Sequence, residues 1–260
     1  MKSIIYRMLK KRQFLVMLGF SFALGLSSLI TGDVIKNFPQ ESFFGYPASV
    51  YSFQLLVIPI PTLIIFRFLF PLISSIAVGD NIAQDISTGY IKSFVSHSSL
   101  KKYLVNNIVI SFILGGLVSI IPVLVSMWGM FLFIPHIPLN RFYSMMLVSS
   151  QEFMPNLYFE HPLFYFFIRV GFIFIFGGAI SVLATIVSFY LKNRYLSVVV
   201  PMFVLMFIDM TIRVFQREKL TLSSQFIGTE KFQWTGVVFL VAILIFAGLT
   251  VVQGVRKHEI

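Results

Sequence analysis

Six long apolar stretches limit what this chain can fold into. They cover about residues 13–32, 51–78, 104–134, 164–190, 196–214 and 233–252. A helix needs roughly 20 mostly apolar residues, each rising about 1.5 Å, to cross a hydrocarbon core of about 30 Å. Inside lipid, every backbone N–H and C=O must be paired within the protein, so stretches of this length fold as helices. The expectation is an all-α membrane protein with six transmembrane helices. The fourth and fifth stretches are separated by a short LKNRYL turn and should form an antiparallel hairpin. The second and third are long enough to tilt, kink or extend beyond the core. Pro59, Pro61 and Pro71 predict breaks in the second.

Composition agrees with a membrane environment. The chain is 57% hydrophobic and 12% charged, whereas soluble domains average about 25% charged. Its 260 residues hold one transmembrane domain, 1–260, with nothing large attached. There is no cysteine, which excludes disulfides and thiolate–metal sites. The net charge of +10 would suggest nucleic acid in a soluble protein. Here the basic residues flank apolar segments, which points to anionic membrane lipids and away from nucleic acid. A basic start before an apolar run can mark a signal peptide. This run exceeds the usual 7–15 residues and no A-x-A-like site follows, so it is expected to remain as a helix.

Lys and Arg in the loops set the orientation. With the N-terminus inside, the inner segments carry twelve basic residues and the outer loops six. That bias places both termini in the cytoplasm of a multi-pass cell-membrane protein. The loop at 213–232 runs against it, with four basic residues on the predicted outside. In the first dozen residues, MKSIIYRMLKKR, Ile4, Ile5, Met8 and Leu9 recur at helical spacing, with Lys2, Lys10 and Lys11 mainly elsewhere. Two readings stay open for 1–12: an amphipathic interfacial helix on the inner membrane surface, or a positive flank that orients the first crossing.

The polar break at about 79–103, GDNIAQDISTGYIKSFVSHSSLKKY, separates the second and third crossings. Residues 80–94 can form a helix, with Asp80 as its cap, Ile82, Ile86 and Tyr90 along one face, and Asp85 and Lys92 off that face. Gly89 interrupts it at a cost near 1 kcal/mol relative to Ala and predicts an early stop. A short rigid helix joined to two crossings suits a partner that pushes on it. A solvated connector bearing positive-inside charges is the plainer reading.

The run from Asp85 to Lys92 (Asp-Ile-Ser-Thr-Gly-Tyr-Ile-Lys), followed by Ser98-Ser99-Leu-Lys-Lys-Tyr103, resembles the cytoplasmic loop of ABC-2 type transporter permeases. That family more often carries Glu where Asp85 stands. The order of elements also resembles the family: basic amphipathic start, six crossings, the motif loop after the second, and both ends inside. The resemblance covers nearly the whole chain in architecture and about 20 residues in motif. It implies a permease subunit that forms the substrate pathway of an exporter, paired with itself or a similar permease. It also implies cytoplasmic ATPase subunits that bind ATP and Mg and press on a coupling helix at Asp80, Ile82, Asp85, Ile86, Gly89, Tyr90 and Lys92. This chain has no Gly-Lys dipeptide and so no phosphate-binding loop of the G-x-x-x-x-G-K-[ST] type. The ATPase must be a separate chain, and no cofactor is expected in this one.

Charges inside the crossings are the other candidates. Arg67 lies about midway along the second stretch. Arginine there is costly and faces a bundle interior or water, or snorkels to an interface. The first case makes it a substrate-pathway residue for an anionic group. Arg169 and Asp209 lie near the outer ends of neighbouring crossings, where an ion pair would fix packing. Gly115, Gly116, Gly177, Gly178 and Ser181 permit close helix approach, within one subunit or at a dimer seam. His136, Glu160 and His161 in the outer loop at 135–163 lack a recognised ligand spacing, so no metal is expected. That loop, with its prolines and aromatics, suits an ordered cap on the outer interface.

The other function classes are weaker. Gly19-Phe-Ser21 resembles the Gly-x-Ser of some membrane serine proteases, but all four His lie outside the crossings, so no catalytic set is assigned. A secondary transporter would place carboxylates near mid-membrane, and Asp209 is the one acidic residue inside a crossing. A membrane immunity or anchoring protein without transport is the third reading.

Overall fold

A computed structural model describes residues 2–31, 49–56, 60–95, 99–141, 148 and 152–256. Every regular element among them is helical. They are α1 (Lys2–Leu9), α2 (Arg12–Thr31), a 3₁₀ turn (Val50–Leu56), α3 (Ile60–Val78), α4 (Asn81–Ser87), α5 (Tyr90–Val95) and α6 (Leu100–Phe133). Then follow α7 (Pro155–Glu160), α8 (Pro162–Leu191), α9 (Arg194–Val214), a second 3₁₀ turn (Glu218–Leu220), α10 (Leu222–Phe226) and α11 (Trp234–Arg256). Six helices are long and apolar enough to cross a membrane: α2, α3 (counted together with α4), α6, α8, α9 and α11.

The second crossing differs from expectation. The sequence predicts it from 51, but α3 begins at Ile60. Residues 50–56 form a tight 3₁₀ turn instead, with Leu55 and Leu56 at φ 64° and 59°. Apolar character alone cannot separate such a buried turn from a spanning helix. Pro61 stands in the first turn of α3, where its missing N–H costs nothing. Pro59 lies outside the described residues. Pro71 does not break the helix, and neither do Pro122 in α6 or Pro201 in α9. Neighbouring helices and local adjustment can re-satisfy the carbonyl that proline frees.

The centre of the fold is the α6–α8 pair. Four glycines bring the two helices together. A Cβ at Gly115 would collide with Ser181, and one at Gly177 with Ser119. Gly116 lies against Phe174 and Gly178 against Phe112, while the two rings meet edge-to-face at 5.8 Å. The small residues therefore form a packing seam within one subunit, where van der Waals contact does the work that hydrophobic exclusion does in water. Serine hydroxyls tie the flanking helices to this pair. Ser74 of α3 meets Ser119 at 2.7 Å, and Ser28 of α2 donates to Ser126 at 2.8 Å.

The remaining crossings lie outside. Within the apolar windows, 67% of α8 and 61% of the α3 span are buried, against 17% of α9 and 28% of α11. The outward faces of α9 and α11 carry Phe203, Phe207, Met210, Leu244 and Phe246, which suits contact with acyl chains. The predicted hairpin forms between α8 and α9. Lys192 adopts the left-handed conformation at φ 52°, and the Asn193 side chain accepts the N–H groups of Tyr195 and Leu196.

Candidate functional site

The polar break folds into α4 and α5, separated by Gly89 at φ +73°. That left-handed conformation suits glycine, which ends α4 where the sequence predicts an early stop. Ile82 is fully buried and packs with Tyr103 and Leu104, with Ile86, Tyr90, Ile91 and Phe94 around them. Phe94 joins this small apolar core to the main one.

The acidic residues do something the sequence did not suggest. Asp80 occupies the cap position of α4, yet its side chain makes no capping bond. Its carboxylate, 1% exposed, pairs instead with Lys11 and with Arg194, at 3.3 Å from Arg194 Nε. Lys11 also donates to Asn81 Oδ1 at 3.0 Å. Asp85 is buried rather than turned off the packed face. It accepts from Arg7 at 2.5 Å and from the Tyr103 hydroxyl. The Arg7 guanidinium lies over the Tyr90 ring at 4.1 Å from its centre. The backbone N–H of Ala83 donates to Ser188 of α8 at 2.8 Å. Three more elements, α1, α6 and α9, and the Lys11 link thus converge on one seven-residue helix.

Electrostatics follow from this burial. Desolvation works against the charge on Arg7, but the hydrogen bond and charge of Asp85 outweigh it and raise its pKa. For Lys11 desolvation prevails over Asp80, helped by the nearby Arg194, and its pKa falls below the ordinary lysine value. Buried ion pairs add little net stability because desolvation offsets attraction, while removing one partner is costly. Their effect here is to hold α4 in one position against α1 and α9.

The surface that remains is the tip, where Ser87, Thr88 and Gly89 are exposed. Beside it runs a groove of about 710 Å³ between α1 and α4, lined in part by Tyr6, Lys10, Gln84 and Thr88. Lys92 lies on α5, and its side chain is outside the described ones. Arg7, Tyr103 and Arg194 escaped the sequence reading as members of this cluster. The hint was the pair of acidic residues, Asp80 and Asp85, in inner segments that are mostly basic.

The far end holds the other candidates. Arg67 lies about 10 Å from the start of α3 at Ile60, close to the middle of that helix, as the sequence predicts. Arg169 and Asp209 are not paired with one another. Asp209 accepts the N–H groups of Leu222 and Ser223 at 2.7 and 3.2 Å, at the start of α10. Arg169, fully buried, donates to the carbonyls of Gln225 at 3.0 Å and Glu230 at 3.4 Å, at and beyond its end. The two charges clamp opposite ends of one short helix, each opposing the local backbone dipole. Between them Phe226 stacks on Phe176 of α8 at 4.5 Å. The loop that strained the orientation rule is therefore packed at 221–228, while its basic residues Arg213, Arg217, Lys219 and Lys231 stay exposed.

Between α6 and α8, Tyr158 of α7 is buried, and its hydroxyl donates to the Tyr51 carbonyl at 3.3 Å. His136, Glu160 and His161 line one cavity of about 520 Å³. No group able to hold a metal ion occurs among the described residues. Ser21 is buried and its hydroxyl has no hydrogen-bond partner among the described residues.

Comparison with protein-family models, with curated proteins and with solved structures finds no match.

Proposed function

We propose that this chain is the membrane subunit of an ABC-2 type exporter, driven by separate cytoplasmic ATPase subunits that bind ATP and Mg. One observation carries the reading: the helix between the second and third crossings presents a free tip while ionic and hydrogen bonds tie it to α1, α6, α8 and α9. A partner pressing on Ser87–Gly89 would move those elements together, because α4 cannot yield alone. The α1, α4 and α11 end would face the cytoplasm, with α1 along the membrane surface. A second permease subunit, identical or similar, would complete the pathway.

Asp85 then has a different role from that implied by the family resemblance. It positions the coupling helix from inside, and the partner meets Gln84, Ser87 and Thr88. Ion-gradient drive fits less well, because the carboxylate of Asp209 is already committed to two backbone N–H groups.

The test is co-purification from the native host followed by site-specific crosslinking from Thr88→Cys. The expected result is a stoichiometric ATPase crosslinked at that position. A purified chain that transports in vesicles without any ATPase sinks the proposal.

A further inference from the structure

We infer that the lateral cavity between α3 and α9 binds the phosphate headgroup of an anionic phospholipid. The cavity has a volume of about 430 Å³ and is lined by Arg67, Asp209 and Arg213 among apolar residues. Both Asp209 oxygens accept backbone N–H groups, which leaves its charge partly neutralised. Neither guanidinium takes part in an ion pair or a side-chain hydrogen bond among the described residues, and Arg67 Nε is buried without a partner. Two arginines thus face one cavity with their donors unspent. An arginine fork matches a phosphate in geometry as well as charge.

The apolar side of the cavity indicates an amphiphile rather than a free ion. Ile64, Phe68 and Met210 line it and are 61%, 50% and 68% exposed, on the face the chain turns to lipid. Acyl chains can lie along these side chains while the headgroup reaches the arginines. Gly228 keeps room beside the Arg67 guanidinium, since a Cβ there would come within 2.7 Å of its nitrogen. Arg213 also lines the adjoining groove of about 680 Å³ at the far end, together with Arg217, Lys219, Glu218 and Glu230. There Glu218 and Glu230 stand among the basic residues, whereas the single carboxylate of the inner cavity already accepts two backbone N–H groups, so the inner cavity is the part with anion selectivity. This site does not depend on how transport is driven.

The experiment uses the full chain purified in non-ionic detergent, with lipid adducts counted by native mass spectrometry. Phosphatidylglycerol, phosphatidylcholine and inorganic phosphate are offered separately. The expected result is retention of phosphatidylglycerol about tenfold above phosphatidylcholine, with inorganic phosphate unable to compete. Arg213→Gln, at an exposed position, should remove most of that preference, and Arg67→Gln should do the same if it folds. Arg217→Gln in the outer groove should keep it. Equal retention of the two lipids, as expected if a second copy covers the cavity, overturns the inference. So does a preference unchanged in Arg213→Gln, or displacement by inorganic phosphate.

Discussion

Asp80 is the residue whose loss should be felt most. Asp80→Asn leaves Lys11, whose side chain is 12% exposed, beside Arg194 without its directly bonded carboxylate. Breaking a buried pair from one side costs about 3 kcal/mol or more, and thermal unfolding in detergent should show it. Asp85→Asn should cost less, about 1–2 kcal/mol, because Arg7 is 37% exposed and can turn to water. A double-mutant cycle of Asp85→Asn with Arg7→Gln should give a coupling of about 1 kcal/mol. Additive losses would mean that the pair does not form. None of these partners could be read from spacing. Asp80 and Lys11 are 69 residues apart, and Asp80 and Arg194 are 114 apart.

The α6–α8 seam and the α4–α5 turn depend on glycine for different reasons. At Gly115 the obstacle is a neighbour, since an added methyl would overlap Ser181. Gly115→Ala should therefore cost about 1–3 kcal/mol, and Ser181→Gly in the same chain should recover much of it. Independent effects of the two changes would show that the helices do not meet there. At Gly89 the obstacle is the backbone alone, because a Cβ at φ +73° would meet nothing within 4 Å. Gly89→Ala should cost about 1–2 kcal/mol and Gly89→Asn less, with no second-site change able to rescue either. Equal losses for Ala and Asn would contradict the conformational explanation. The sequence showed that these small residues allow close approach, and it left open whether the seam was internal. The reciprocal fit of Phe112 over Gly178 and Phe174 over Gly116 settles that within one chain.

The two polar ends of the molecule differ in kind. One gathers α1, α4, α5 and the ends of α6, α9 and α11. The other holds α7 and α10, packed into aromatic clusters. If the first end is cytoplasmic, an impermeant maleimide applied to intact cells should label Lys219→Cys and spare Thr88→Cys. The absence of native cysteine makes the readout unambiguous. Labelling of Thr88→Cys alone would invert the topology and remove the coupling proposal with it. Arg169→Met should loosen the far end by leaving the Gln225 and Glu230 carbonyls without their donor. We expect a loss of about 2–4 kcal/mol and faster proteolysis within 215–233.

What the sequence determined by itself was the set of crossings and the short α8–α9 hairpin. Length and hydropathy are local properties, and a bilayer leaves a long apolar segment little choice but a helix. It failed at residues 50–56 because a buried 3₁₀ turn is as apolar as a spanning helix. Only the tertiary structure decided where the charges go. Asp85 turns inward to α1 and Asp80 to the Lys11 link and α9, and Arg169 and Asp209 divide the two ends of α10 instead of pairing. A charge in a low-dielectric setting takes whichever partner the packed helices bring within reach, and that geometry is set by contacts far apart in the chain.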